Sequence, residues 1–158
     1  MENTKVITGT DVVIAAKKYV GLPYVFGAEA VPGKPVTALD CSELVELVCR
    51  ELGVVPKMPD GSANQFLHCQ KYGTHTLTME EAEKIPGALL FRRDGKSLRI
   101  VHVAISTGQG NTVEARGKDY GVNVFKMRSS FTNCALIPGV QYNQANRGVD
   151  KVEQNATN

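Results

Sequence analysis

At Ile85-Pro86-Gly87 the hydrophobic pattern of this chain changes its period. Before that tripeptide, apolar residues recur at helical spacing; after it they alternate or run continuously, as strands do. Helices first and an antiparallel sheet second define an α+β domain. The 158 residues are enough for one domain with its own core. No internal repeat and no second domain break the pattern.

Thr10 or Asp11 can cap a first helix to about Val20, with Val12, Val13, Ala16 and Val20 as its apolar stripe. Gly21-Leu22-Pro23 ends it, Tyr24-Val25-Phe26-Gly27 is a short aromatic segment, and residues 28–38 read as a loop. Asp40 is the natural N-cap of a second helix, whose apolar positions Cys41, Val45, Val48, Cys49 and Leu52 share one face. Gly53 is its C′ residue. Asp60 or Ser62 can cap a third helix to about Tyr72, with Phe66 and Cys69 facing in, and Met79 to Lys84 is a short acidic helical turn.

The second half predicts about five strands: Ala88 to Phe91, Leu98 to Ser106, Thr112 to Arg116, Val122 to Phe125 and Cys134 to Ile137. In the second, Val101, Val103 and Ile105 alternate with Ile100, His102 and Ala104. Gly108-Gln109-Gly110-Asn111 signals the hairpin to the third. The folded domain is expected to span residues 1–139, and 140–158 to be a polar, disordered tail.

Composition excludes several classes of function. A net charge of +2 without a basic run gives no footprint for nucleic acid. No apolar run approaches the roughly 20 residues of a membrane span. The Met-Glu-Asn-Thr-Lys start lacks the apolar stretch of a signal peptide, so synthesis and retention in the cytoplasm are expected unless another device releases the chain. Cys41, Cys49, Cys69 and Cys134 form no CxxC pair and do not combine with His68, His75 and His102 at zinc spacing. Neither metal nor other cofactor is expected, and three of the four cysteines read as buried apolar side chains.

Cys41 is different because it heads its helix. Unpaired N–H groups there carry partial positive charge, a field that favours thiolate, the nucleophilic form. A reactive thiol needs a base and a group that orients that base. His102 lies mid-strand among apolar residues, where a lone histidine is more often packing than chemistry. A hairpin centred on Gly108 would set Glu114 directly opposite it, with Cβ atoms about 4.5–5.5 Å apart. Glu114 then either fixes the His102 tautomer or pairs with Arg116 on its own strand. In the first case the carboxylate raises the proton affinity of His102 and favours a thiolate–imidazolium pair.

Leu22-Pro23-Tyr24-Val25-Phe26-Gly27, Asp40-Cys41-Ser42-Glu43-Leu44-Val45, Pro86-Gly87-Ala88-Leu89-Leu90-Phe91 and Val101-His102-Val103-Ala104-Ile105 occur in that order. This series resembles the NlpC/P60 family of cell-wall cysteine peptidases, with its DCSGLV-type and GHVGI-type motifs, over about residues 11–139. The resemblance implies a papain-like α+β fold and a cysteine that attacks an amide of the peptidoglycan stem peptide, typically after γ-D-glutamyl, through a thioester. Carried over by position, Cys41 is the nucleophile and His102 the base. Glu114 stands where the family usually has a second histidine or another polar residue. Tyr24 matches an active-site tyrosine that could aid the oxyanion, and Asp40 and Ser42 match residues on the substrate side of the cysteine. Three positions depart from the pattern: Glu43 replaces a glycine, Ala88 an aspartate, and Val101 a glycine. The run from Glu114 to Val122 is similar to single-domain forms in bacteriophages of Gram-positive hosts. The lack of a signal peptide suggests a phage endolysin, a virion-carried hydrolase or an injected effector, expected to be a monomer, with a holin or virion/injection machinery as delivery partner. A thioester-forming transferase and a non-catalytic wall-binding domain are the alternatives.

Overall fold

The structure, a computed structural model, describes residues 5–73 and 76–142. His75 and the expected tail from residue 143 onward lie outside them. Four helices precede five strands: α1 (Gly9–Lys17), α2 (Cys41–Leu52), α3 (Ser62–Tyr72), α4 (Met79–Glu83), β1 (Leu89–Arg93), β2 (Ile100–Ser106), β3 (Asn111–Ala115), β4 (Val122–Lys126) and β5 (Asn133–Ala135). The strands form one antiparallel sheet in the order β4-β3-β2-β1-β5. The α+β division at Pro86-Gly87 is therefore real.

Helix ends follow local hydrogen bonding more closely than residue type alone allows. The cap of α1 is Thr8, not Thr10 or Asp11. Thr8 Oγ1 accepts from Asp11 N–H at 3.1 Å, and Asp11 Oδ2 accepts from Thr8 N–H at 2.9 Å. Asp11 is thus the far half of a capping box. The helix stops at Lys17, so Val20 leaves the apolar stripe and stands 40% exposed. Gly61, at φ 86°, starts α3 with no side-chain cap, in place of Asp60 or Ser62. Thr78 and Glu81 form a second capping box on α4. Asp40 and Gly53 bound α2 as expected.

The core is not limited to one stripe of α2. Ser42, Glu43, Leu44 and Leu47 are buried as well as Cys41, Val45, Val48 and Cys49. The helix is enclosed on several sides, which its narrow apolar face does not predict. Phe91 on β1 packs edge-to-face on Phe66 of α3, with ring centroids 5.1 Å apart.

The first and last stretches of the described residues are tied into the same core. Gln141 N–H donates to Ile7 C=O at 2.7 Å, and Gly9 N–H donates to Gln141 C=O at 3.2 Å. Tyr142 is buried, accepting from Ile137 N–H at 2.9 Å and donating to Gly87 C=O at 3.0 Å. The packed domain therefore continues three residues past the expected boundary at 139. Backbones touch where α1 begins. A Cβ on Gly9 would lie 2.0 Å from Pro86 O and 2.8 Å from the Tyr142 ring. Neither neighbour is a flexible side-chain tip, so Gly9→Ala should lower stability by about 1–3 kcal/mol. Urea unfolding followed by circular dichroism would measure it, and an unchanged midpoint would show that the Gly9–Pro86 approach carries no strain.

Candidate active site

Cys41 is the first residue of α2 and is almost fully buried. Burial pushes its thiol up to about 11, against hydrogen bonds from the Val103, Ser42 and Cys41 backbones that favour thiolate. The neighbouring Asp40 charge adds to the rise. Desolvation thus outweighs the backbone donors, and the sulfur holds its proton more tightly than an ordinary thiol does.

His102 on β2 is also buried, and its ring lies nearly parallel to that of Phe131, 22° apart in plane. Its Nε2 is 2.8 Å from Glu114 Oε1. A carboxylate accepts and does not donate, so Nε2 carries a proton, and in the neutral imidazole the lone pair sits on Nδ1. Among the described residues no hydrogen bond links the Cys41 thiol to His102. Catalytic hydrogen bonds are often long before substrate binds.

The contact between His102 and Glu114 is made by a register other than the expected one. Ile105 faces Val113 and Ser106 faces Thr112. This places β3 two residues further along than a turn centred on Gly108 would. An offset of two leaves every side chain on its own face. Continued along the strands, the register sets Glu114 level with Ala104, and His102 reaches it on the diagonal.

Glu114 is 0% exposed. Burial drives its carboxyl up, but hydrogen bonds from His102, Arg128 and Thr112 outweigh that effect and hold it at about 2. Arg128 binds with a two-pronged fork, Nη2 to Oε1 at 2.7 Å and Nη1 to Oε2 at 3.2 Å. Thr112 Oγ1 donates to Oε2. The sequence pattern does not reveal Arg128, which lies past the end of β4. The only available signal is that a buried carboxylate needs a cation. Arg116, the alternative partner, instead places its guanidinium 4.4 Å from the Tyr120 ring centroid and 5.0 Å from that of Phe125.

Tyr24 is half-buried and pairs with Leu39 in a parallel bridge. Burial first, and then proximity to Cys41 and Asp40, raise its hydroxyl, which stays a proton donor beside the helix head. Asp40 Oδ2 accepts from Gly27 N–H at 2.9 Å, and Oδ1 accepts from Glu43 N–H at 2.9 Å and Ser42 Oγ at 3.3 Å. These contacts are internal, so Asp40 ties the aromatic segment to the helix that carries Cys41. Ser42 is buried, and its carbonyl accepts from Gln65 Nε2 at 2.9 Å.

A family model for NlpC/P60 matches residues 21–140. The chain belongs to the NlpC/P60 family. Among curated proteins none matches it. Solved structures agree in fold. NlpC1 of Trichomonas vaginalis superposes with a TM-score of 0.69 at 17% identity, over 89% of this chain and 47% of that one. The NlpC/P60 domain of the peptidoglycan hydrolase SagA gives 0.63 at 23% identity, over 83% and 100%. The P60 domain of antigen MAP1204 of M. avium subspecies paratuberculosis gives 0.63 at 25% identity, over 84% and 96%. This chain spans about half the length of the Trichomonas protein.

The three departures from the NlpC/P60 pattern have structural settings. Val101 is 44% exposed on the outer face of β2, where a small residue is not required. Ala88 is fully buried. Glu43 is 3% exposed, and its Oε2 accepts from Ala30 N–H at 2.7 Å. Arg50 Nη2 donates to Ala30 C=O at 2.7 Å, so two α2 side chains grip one residue of the 28–38 loop. Glu43, Glu46 and Asp60 also bring one carboxylate oxygen each within 4.8 Å of the others.

Burial first, then Glu46 and Asp60, push the Glu43 carboxyl up to about 7. Its folded form holds a proton that the unfolded form releases near 4.5, so stability falls as pH rises through that window. Glu43→Gln should remove this slope, raising the melting temperature at about pH 8 relative to wild type and not at about pH 4. Parallel melting curves across that range would contradict it. Glu114 behaves oppositely. Its folded value of about 2 lies below the ordinary 4.5, so its stabilisation is present above 4.5 and lost as pH falls toward 2. The stability gap between wild type and Glu114→Gln should therefore narrow over that acid window, as read by denaturant titration at each pH.

Proposed function

We propose that this chain is a cysteine peptidase that hydrolyses an amide of the peptidoglycan stem peptide, after γ-D-glutamyl, with Cys41, His102 and Glu114 as nucleophile, base and orienting group. The observation that carries it is the 2.8 Å bond from His102 Nε2 to a buried carboxylate, which commits one ring nitrogen and leaves the other as a base. Family membership supports the substrate class.

In the proposed reaction, His102 Nδ1 takes the thiol proton as Cys41 Sγ attacks the carbonyl carbon. A neutral thiol at rest makes this proton transfer part of the attack rather than a step before it. The Cys41 backbone N–H and the Tyr24 hydroxyl donate to the oxyanion. Collapse breaks the C–N bond, the amine leaves with the proton from Nδ1, and the acyl group remains as a thioester. Nδ1 then removes a proton from water as the water oxygen attacks the thioester carbon; the C–S bond breaks, and Nδ1 returns that proton to the Cys41 sulfur, leaving the free acid, the thiol and neutral His102.

Cys41→Ala should release no muropeptides from purified sacculi by mass spectrometry, with an unchanged circular dichroism spectrum. Full activity in that variant would remove the cysteine from the reaction. Glu114→Gln should lower kcat/KM by roughly 10²-fold or more, the scale of a mispositioned general base. A wild-type rate would reduce Glu114 to a structural ion pair.

A further inference from the structure

We propose that Arg128 is a positioning residue for His102: it balances the charge of Glu114, so that Glu114 can orient the imidazole without drawing it into the imidazolium form. This inference rests on the catalytic reading above and adds a fourth member to its machinery.

Geometry supports it from three sides. The guanidinium fork reaches both oxygens of Glu114, and Nη2 shares Oε1 with His102 Nε2. A planar fork on two oxygens fixes the carboxylate plane, which a point charge would not do. Arg128 also lies over Phe131, 5.0 Å from the ring centroid, and Phe131 stacks on the imidazole of His102. One residue therefore braces the carboxylate and, through Phe131, the face of the histidine ring.

The electrostatic consequence follows from the neighbours of His102. Among the described residues Glu114 on β3 is its only anionic hydrogen-bond partner. Arg128 follows β4, Arg92 stands opposite His102 on β1, and Cys41 and Asp40 lie at the head of α2. No hydrogen bond or ion pair joins His102 to a charged group of α1 or α3 among the described residues. A lone carboxylate at hydrogen-bond distance would favour protonated His102 strongly. With a cation on the same oxygen that pull is largely cancelled, while the accepting geometry remains. Nδ1 is then free to accept the proton of a buried thiol that is itself neutral.

The test reads His102 directly, by imidazole NMR titration of the full chain. Arg128→Gln should raise the His102 midpoint by about one pH unit or more. The acid limb of kcat/KM should move up with it, so that a rate on that limb drops about tenfold per unit. Arg128→Lys should restore the midpoint but not the full kcat, because it returns the charge without the fork. Glu114→Gln, which leaves Arg128 uncompensated, should lower the midpoint. The double variant Glu114→Gln/Arg128→Gln should return it close to wild type, and its neutral pair keeps the test open if the single Arg128→Gln chain does not fold. A merely structural Arg128 would lower melting temperature and rate at every pH with the midpoint fixed, and that outcome overturns the proposal. The titration needs no substrate. Absence of muropeptide release with the predicted midpoint shifts would reject the peptidoglycan reading alone. Normal release with a fixed midpoint would reject the role of Arg128 alone.

Discussion

A fully buried carboxylate on β3 organises the sheet half of this domain. An ionised group without water around it is tolerated only when donors replace the lost hydration. Glu114 has three: a histidine from β2, a threonine from its own strand, and an arginine from the segment after β4. Each donor comes from a different part of the second half of the chain. Satisfying one charge therefore aligns β2 with β3 and anchors the turn that carries Arg128 and Phe131. The ion pair and the imidazole orientation are the same structural fact.

The other half of the site depends on α2. Its N-cap does two things with one side chain, since Asp40 closes the helix end and also holds Gly27. Two turns of the helix then grip Ala30 through Glu43 and Arg50. The loop that joins the aromatic segment to the helix is thus fixed to the helix that presents the thiol. This enclosure has an electrostatic cost, because it dries the environment of Cys41 and keeps the group protonated. Backbone donors around the sulfur reduce that cost without removing it. In the proposed reaction this enclosure makes transfer of the Cys41 proton part of the attack on the carbonyl.

Much of this was legible in the sequence, for physical reasons that differ by feature. Asp40 and Gly53 bound α2 because a cap acceptor and a left-handed C′ position leave little choice of residue. The strands were readable from period. The cap of α1 was misplaced because Thr8, Thr10 and Asp11 are all competent caps, and only the reciprocal Thr8–Asp11 bonds decide among them. The hairpin register was misjudged by two, since a loop with two glycines admits more than one turn centre. Facing survives such an error, so the His102–Glu114 contact was still foreseeable. Arg128 was not. Its link to Glu114 spans a strand and two turns, and no periodicity connects a loop arginine to a strand carboxylate.

The choice of cation explains why Arg116 could not serve. Arg116 directly follows β3 and is two residues from Glu114, which suggests a same-face pair. Its guanidinium instead lies over the Tyr120 and Phe125 rings, which meet edge-to-face. Arg128 arrives from outside β3 and can address both oxygens at once. A neutral histidine or amide at position 114 would need no such partner, because it brings no charge into the core. The carboxylate and the arginine are therefore one substitution in physical terms: Glu at this position is workable as an orienting group only with a cation supplied elsewhere in the chain.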